Sequence, residues 1–373
     1  MVGRTTIERF IPAACATLAL CAAVAALVPV LRPVGWNLTA LPRVAANTGM
    51  GAAARARDPG FRTVTTGSYD GQFYWGIAVD PIATGDVHQS FDTASYRYGH
   101  PLLGWLGWLL SAGQARAAPA ALLAVGLASL ALAALAASLL GRTFGGRGLA
   151  GLFVAVNPGL IYSAAHDLTE PLSAALLLGG FLAYARGRRA LAAVCFGLLV
   201  LSKEQFLLVP LGVAAWEVLR RRGRLLESGI FVACLLPAAG WWIYARLQLG
   251  DWFTSGGTAL GTPLAGWKRA LLDAGINTYS SNAAQNIASE AALVVLAALL
   301  SLLAFAGLLA LRVRGPADVV YLLLAAVAAC LVPMATVLQR DALRNVSVLL
   351  TLVPFVSASV PLLPPWSRAP QEE

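Results

Sequence analysis

The chain is short of charge. Aspartate, glutamate, lysine and arginine make up 12% of its 373 residues, while 58% are hydrophobic; a soluble domain carries about 25% charged residues. Too few polar groups remain to cover a water-facing surface, so lipid is the expected solvent for most of the chain. Cysteine is sparse as well. Cys15, Cys21, Cys195, Cys234 and Cys330 all lie in apolar stretches, and none has a Cys-x-x-Cys spacing. Neither a metal cage nor a disulfide framework follows, which casts them as small core residues. Histidine is rarer still: His88, His100 and His166 match no zinc-binding spacing, so no metal ligand is assigned. No internal repeat or soluble block divides the chain, which reads as a single transmembrane domain over 1–373.

What it has in plenty is long apolar runs, reflected in a mean hydropathy of +0.71. Runs near membrane-spanning length fall at 10–31, 119–141, 148–164, 168–185, 188–202, 205–220, 228–247, 289–311, 318–338 and 345–363. The expected fold is therefore all-α, a polytopic integral membrane protein of about ten transmembrane helices. The first run follows a short basic N-terminus and no small-x-small cleavage site closes it, so it reads as an uncleaved helix. The pair 188–202 and 205–220 is short enough to form a hairpin bending within the membrane.

The net charge of +9 sits largely in short loops between these runs. Arg142 and Arg147, then Arg186, Arg188 and Arg189, then Arg220, Arg221, Arg222 and Arg224, then Arg312 and Arg314, mark one side. The alternate loops are of mixed sign: Asp167 and Glu170, Lys203 and Glu204, and Arg340, Asp341 and Arg344. Such asymmetry places the arginine loops and both termini in the cytoplasm, in a multi-pass protein of the cell (inner) membrane. It also assigns the basic balance to topology, with no nucleic-acid partner. Two extracytoplasmic segments, 32–118 and 248–288, exceed simple turns. The first holds 101–112 (PLLGWLGWLLSA), too short to span and expected as an interfacial helix with Trp105 and Trp108 at headgroup level.

Four extracytoplasmic stretches concentrate groups able to do chemistry. The densest, 69–81 (YDGQFYWGIAVDP), reads as a short helix capped by Ser68 or Thr66 and ended before Pro81. Asp70 lies in its first turn, with Phe73, Tyr74 and Ile77 docked on the membrane side. Asp70 is then either a capping carboxylate at the positive helix end or a general base at the membrane surface. In 157–171 (NPGLIYSAAHDLTEP), His166, Asp167 and Glu170 line a polar cavity, or Asp167 and Thr169 merely cap the helix that starts near Pro171. In 201–205 (LSKEQ), Lys203 either neutralises Glu204 or faces an anionic ligand. In 339–344 (QRDALR), Arg340 and Arg344 stand one helical turn apart, suited to gripping a phosphate or else part of a solvated loop.

These blocks resemble the GT-C superfamily of membrane glycosyltransferases. More closely, the first three of them are similar to the GPI-anchor mannosyltransferase family that adds the second mannose, and to its bacterial relatives. Residues 69–74 match that family's Trp-Asp block, 157–170 its Asn-Pro…Ser-Ala-x-x-Ser-Glu block, and 201–205 sit where it has an Arg-Ser-Asn-Gly turn. The likeness covers 60–220 and then thins. Tyr69 stands for the family's Trp, Lys203 for its Arg, and the length changes around His166–Glu170, which bears on the sugar and acceptor more than on the fold.

The resemblance implies a mannose-like sugar on a polyprenyl phosphate as donor, a glycan, lipid or protein acceptor, and inverting transfer at the extracytoplasmic face. Asp70 would be the catalytic base, and Lys203, Arg340 or Arg344 would supply cationic stabilisation. The expected substrate-binding set is Tyr74, Asp80, His100, His166, Asp167, Glu170, Lys203, Glu204, Arg340 and Arg344, with a divalent ion on Asp167 or Glu170 left open. Two other classes fit the composition. A transporter or flippase for a lipid-linked saccharide would show paired halves and charges at span centres. A non-catalytic membrane subunit would leave its outer carboxylates spread apart.

Overall fold

The computed structural model describes residues 6–65, 67–220, 225–255, 260–269, 283–332 and 339–357. Among these residues the regular structure is helical, and β pairing is confined to isolated bridges at Ala45–Val64 and Leu260–Leu331. Three stretches of the described residues are long and apolar enough to cross a membrane: Glu8–Val34, Ala118–Thr143 and Ser228–Leu249.

The centre is built from α1 (Thr6–Leu31), α6 (Ala118–Thr143), α9 (Glu170–Ala185) and α10 (Arg189–Ser202). Cys15, Ala19 and Ala23 of α1 are buried with Ala133, Ala134 and Ala137 of α6. Small side chains let two helix backbones approach closely, which gives packing where lipid supplies no hydrophobic drive. Helices α9 and α10 form an antiparallel pair, with Gly180 facing Phe196 so closely that a Cβ would meet its ring at 2.4 Å. Outward-facing side chains are apolar, among them Leu132, Leu191, Val194, Leu219, Leu247 and Leu308. Such a surface matches hydrocarbon rather than water.

The run 148–164 is not one helix. It passes through a 3-10 turn (Leu149–Gly151), one turn of α7 (Leu152–Ala155) and then α8 (Pro158–Ala164). The cause is local: Pro158 has no amide hydrogen to continue the ladder, and the Asn157 side chain accepts from Leu160 N to start a new helix. The broken segment still runs antiparallel to α6, since a Cβ at Gly148 would meet Ser138, one at Gly151 the Ala134 carbonyl, and one at Gly126 the Ala164 carbonyl.

Other runs also differ from expectation. The run 205–220 gives the 3-10 turn Glu204–Leu207 and α11 (Leu208–Arg220), and 228–247 divides into α12 (Leu225–Ala233) and α13 (Leu236–Leu249), where Pro237 permits only a fresh start. Helix α14 (Ala283–Ala310) covers 289–310 and begins earlier, and α15 (Pro316–Ala329) is shorter than 318–338, whose last residues lie outside the described set. In place of the run 345–363 stands α16 (Gln339–Leu350), followed by a 3-10 turn at Val353–Phe355; residues 358–363 lie outside the described set. Helices α9 and α10 have 16 and 14 residues, about 24 and 21 Å at 1.5 Å per residue, less than a bilayer core of about 30 Å.

Segment 32–118 folds over one end of this bundle. Its helices are α2 (Gly49–Arg57), α3 (Gly71–Val79), α4 (Ala94–Arg97) and α5 (Leu102–Ser111), packed around a fully buried Trp75 with Met50, Phe61, Phe91 and Tyr98. In α5, Trp108 is exposed, whereas Trp105 packs edge-on against Trp241 and donates to the Pro81 carbonyl. At the opposite end of the bundle Arg147 pairs with Glu8, and Arg189 with a buried Glu217.

Candidate active site

Asp70 precedes α3 as its N-cap residue, yet its side chain makes no capping bond. Its backbone is already helical (φ −60°, ψ −22°), which turns the carboxylate away from the helix amides. Instead, Arg344 Nη2 of α16 lies 2.8 Å from Asp70 Oδ2, and Arg97 Nη1 of α4 lies 3.2 Å from Oδ1. The capping reading therefore fails in geometry: Ser68 makes no cap bond either, and Thr66 lies outside the described residues. Burial alone would raise the Asp70 carboxyl, but the Arg344 and Arg97 guanidiniums outweigh it and hold it at about 2.

Close packing makes the arrangement possible. Gly71 opens α3 where a Cβ would stand 2.5 Å from the His166 carbonyl oxygen, so the Asp70 and His166 segments touch through backbone. Phe73, Tyr74 and Ile77 are buried behind it, as the sequence leads one to expect.

Glu170, the first residue of α9, is the second anionic centre. Its Oε1 is 3.1 Å from Arg344 Nε and 3.3 Å from Lys203 Nζ. Arg344 thus bridges Asp70 and Glu170, while Arg344 Nη1 and Glu170 Oε2 are buried with no hydrogen-bond partner among the described residues. Lys203 and Glu204, adjacent in sequence, turn to different partners. Glu204 Oε2 lies 3.2 Å from His100 Nδ1. Burial works to raise the Glu204 carboxyl, and the His100 contact overcomes it, to about 2. His100 in turn meets the rings of Tyr74 and Tyr96 edge-on.

His166 stacks on Tyr162 at 4.1 Å between ring centroids, and its Nδ1 lies 2.9 Å from the Tyr162 carbonyl. Asp167 has a positive φ of 53° and is 3% exposed, with both carboxylate oxygens lacking a hydrogen-bond partner among the described residues. Desolvation pushes its carboxyl well above the usual range, so the neutral acid is favoured. Neither Asp167 nor Thr169 caps α9; the Thr169 hydroxyl donates to the Ser202 carbonyl. Asp80 stands apart from this group. Its carboxylate accepts from the amides of Thr84, Gly85 and His88 and from the His88 ring, tying up the 84–88 turn. The side chain of Arg340 lies outside the described residues.

Of the expected residues, Asp70, Glu170, Lys203 and Arg344 are joined directly, and the His100–Glu204 pair reaches them through Tyr74, which feels the charges of both Glu170 and Asp70. Sequence reasoning missed Arg97. It is held by Asp92 at 2.8 Å and lies 3.8 Å over the Phe73 ring. Its signal was an arginine between two tyrosines just before His100. Asp341 was also missed as a partner: it accepts the Tyr69 hydroxyl and so draws α16 onto the Asp70 segment.

The result is an accessible carboxylate above a floor of cations. The Asp70 side chain is 32% exposed, while those of Arg344, Lys203 and Arg97 are 13%, 14% and 17% exposed. Fixed, poorly hydrated guanidinium and ammonium groups suit the oxygens of a phosphate, and a carboxylate within reach suits a hydroxyl proton. Among the described residues no group of three or more His, Cys, Asp or Glu side chains assembles to hold a metal ion. Set against family models, curated proteins and solved structures, the chain matches none.

Proposed function

We propose that this chain is an inverting glycosyltransferase that takes a mannose-like sugar from a polyprenyl phosphate at the extracytoplasmic membrane face. The reading includes the roughly ten-pass topology, cytoplasmic termini and a glycan, lipid or protein acceptor. One observation carries it: segments far apart in sequence bring Asp70, Arg97, Glu170, Lys203 and Arg344 into one connected group. Groups that share a substrate must converge, and spread-out carboxylates were the mark of a non-catalytic subunit.

In this reaction the acceptor oxygen attacks the anomeric carbon and its proton passes to an Asp70 oxygen. The bond from that carbon to the phosphate oxygen breaks, and its electron pair stays on the phosphate. A phosphate leaving group needs little protonation, so the cations Arg344, Arg97 and Lys203 suffice to hold the charge that develops. Of the remaining expected residues among those described, Glu204 is the one not buried and would meet a sugar hydroxyl, while His166, Asp167, Tyr74 and His100, all buried, would act from behind it.

The test is transfer by purified protein in detergent from a polyprenyl-phosphate-linked mannose to added acceptors. Asp70→Asn is expected to abolish transfer while expression and membrane insertion persist; full activity in that variant removes the role given to Asp70. Movement of the lipid-linked sugar across vesicles with no transfer in detergent would replace the reading by a flippase.

A further inference from the structure

Resting on the glycosyltransferase reading, the Asp70 contacts raise a chemical difficulty. A carboxylate gripped by two guanidinium groups is a poor proton acceptor, and that is how Asp70 is held, by Arg344 at 2.8 Å and Arg97 at 3.2 Å. We propose that Asp70 sits in the seat that the donor's phosphate takes, and that phosphate binding to Arg344 and Arg97 displaces it and so frees it to act as the base.

The geometry supplies the reasons. A carboxylate and a phosphate present similar paired oxygens to a guanidinium fork, so the two compete for the same donors. Arg344 grips two carboxylates, and Asp70 is the exposed one: its side chain is 32% exposed against 4% for Glu170. An anion arriving from outside meets Asp70 before it meets Arg344, whose Nη1 is a buried donor with no hydrogen-bond partner among the described residues. Glu170 stays beneath with Lys203, as the fixed counter-charge of the floor.

The consequence concerns protons. Facing Asp70 are Arg97 from α4, Arg344 from α16 and Lys203 beyond α10 as cations. Among the described residues, Asp92 before α4 and the hydroxyls of Tyr74 and Tyr96 also lie near it, with Glu170 of α9 and the Tyr69–Asp341 pair on the far side of Arg344. Once a phosphate satisfies the guanidiniums, Asp70 loses its two strongest contacts and gains an anionic neighbour, and both changes raise its affinity for a proton. Anion binding and proton uptake are thereby linked.

Methyl farnesyl phosphate is a suitable probe, a singly charged phosphodiester that does not titrate under the conditions used. Calorimetry at mildly acidic pH in buffers of unlike ionisation enthalpy reads protons taken up per probe bound. The unaltered chain is expected to take up a fraction of a proton and Asp70→Asn none, while that variant binds the probe about tenfold more tightly because the competing anion is gone. Absence of proton uptake by the unaltered chain, or binding by Asp70→Asn that is unchanged or weaker, overturns the exchange. The uptake measurement needs no variant, so a misfolded Asp70→Asn leaves the test in place. Sugar transfer without proton uptake would sink the exchange alone, and proton uptake without transfer from any polyprenyl-phosphate sugar would sink the enzymatic reading alone.

Discussion

Arg344 Nη2 lies 2.8 Å from Asp70 Oδ2 across a sequence separation of 274 residues. That single contact closes the polypeptide onto itself: α16 is pinned to the start of α3 in the first outer segment, with Tyr69 and Asp341 making a second link beside it. Removing one partner of such a pair strands charge in a poorly solvated place.

Arg344→Ala is therefore expected to destabilise the protein by about 3–5 kcal/mol, since it leaves both Asp70 and Glu170 short of a counter-charge. Adding Asp70→Asn should recover part of that loss. Thermal unfolding of the single and double variants in detergent measures it, and a double variant no more stable than Arg344→Ala contradicts the pairing.

Gly71→Ala tests the close approach behind the site. Its Cβ would fall 2.5 Å from the His166 carbonyl oxygen, which is backbone and cannot swing aside. A loss of about 1–3 kcal/mol in stability is expected, with anion binding weakened because Asp70 and Glu170 are pushed apart. Wild-type stability and binding in this variant would show that the two segments do not touch.

Acid should weaken the Asp70 contact. Its folded carboxyl lies at about 2, below its usual 3.8, so the contribution is full above about pH 4 and fades as the pH falls through about 2. Its size is about 2 kcal/mol. The unfolding midpoints of the unaltered chain and Asp70→Asn should differ at pH 6, by about half as much at pH 3, and converge as the pH falls through about 2. A gap that stays constant with pH argues against the ion pairs.

Asp167 should respond in the opposite sense. Desolvation raises its carboxyl well above the unfolded value, so the folded state must hold a proton that neutral water would remove, and stability is lost as pH rises above the unfolded pKa. Asp167→Asn mimics the protonated acid and is expected to be at least as stable as the unaltered chain, with its advantage growing as the pH rises above the unfolded value of 3.8. A destabilised Asn variant would mean that Asp167 is ionised and paired.

Legibility in the sequence varied with the reach of the interaction. Asp70, Glu170, Lys203 and Arg344 were readable because charge is conspicuous in an apolar chain and ionisable groups at membrane depth need a reason. Asp80, ten positions from Asp70, is expected from the sequence to bind substrate. It is instead consumed by the amides of its own turn. Arg97 went unread because its partners, Asp70 and Phe73, lie on another helix. Hydropathy makes the run 148–164 look continuous, although Asn157 and Pro158 carry the local signal for a break.

By itself the sequence determined an all-helical, lipid-compatible chain with arginines gathered in its short loops, since composition and periodicity act over a few residues or as a sum over the whole. Only the tertiary structure decided which charges meet. An ion pair depends on separation and on the surrounding dielectric, and neither quantity is encoded in spacing along the chain when the partners stand on helices packed together from distant segments.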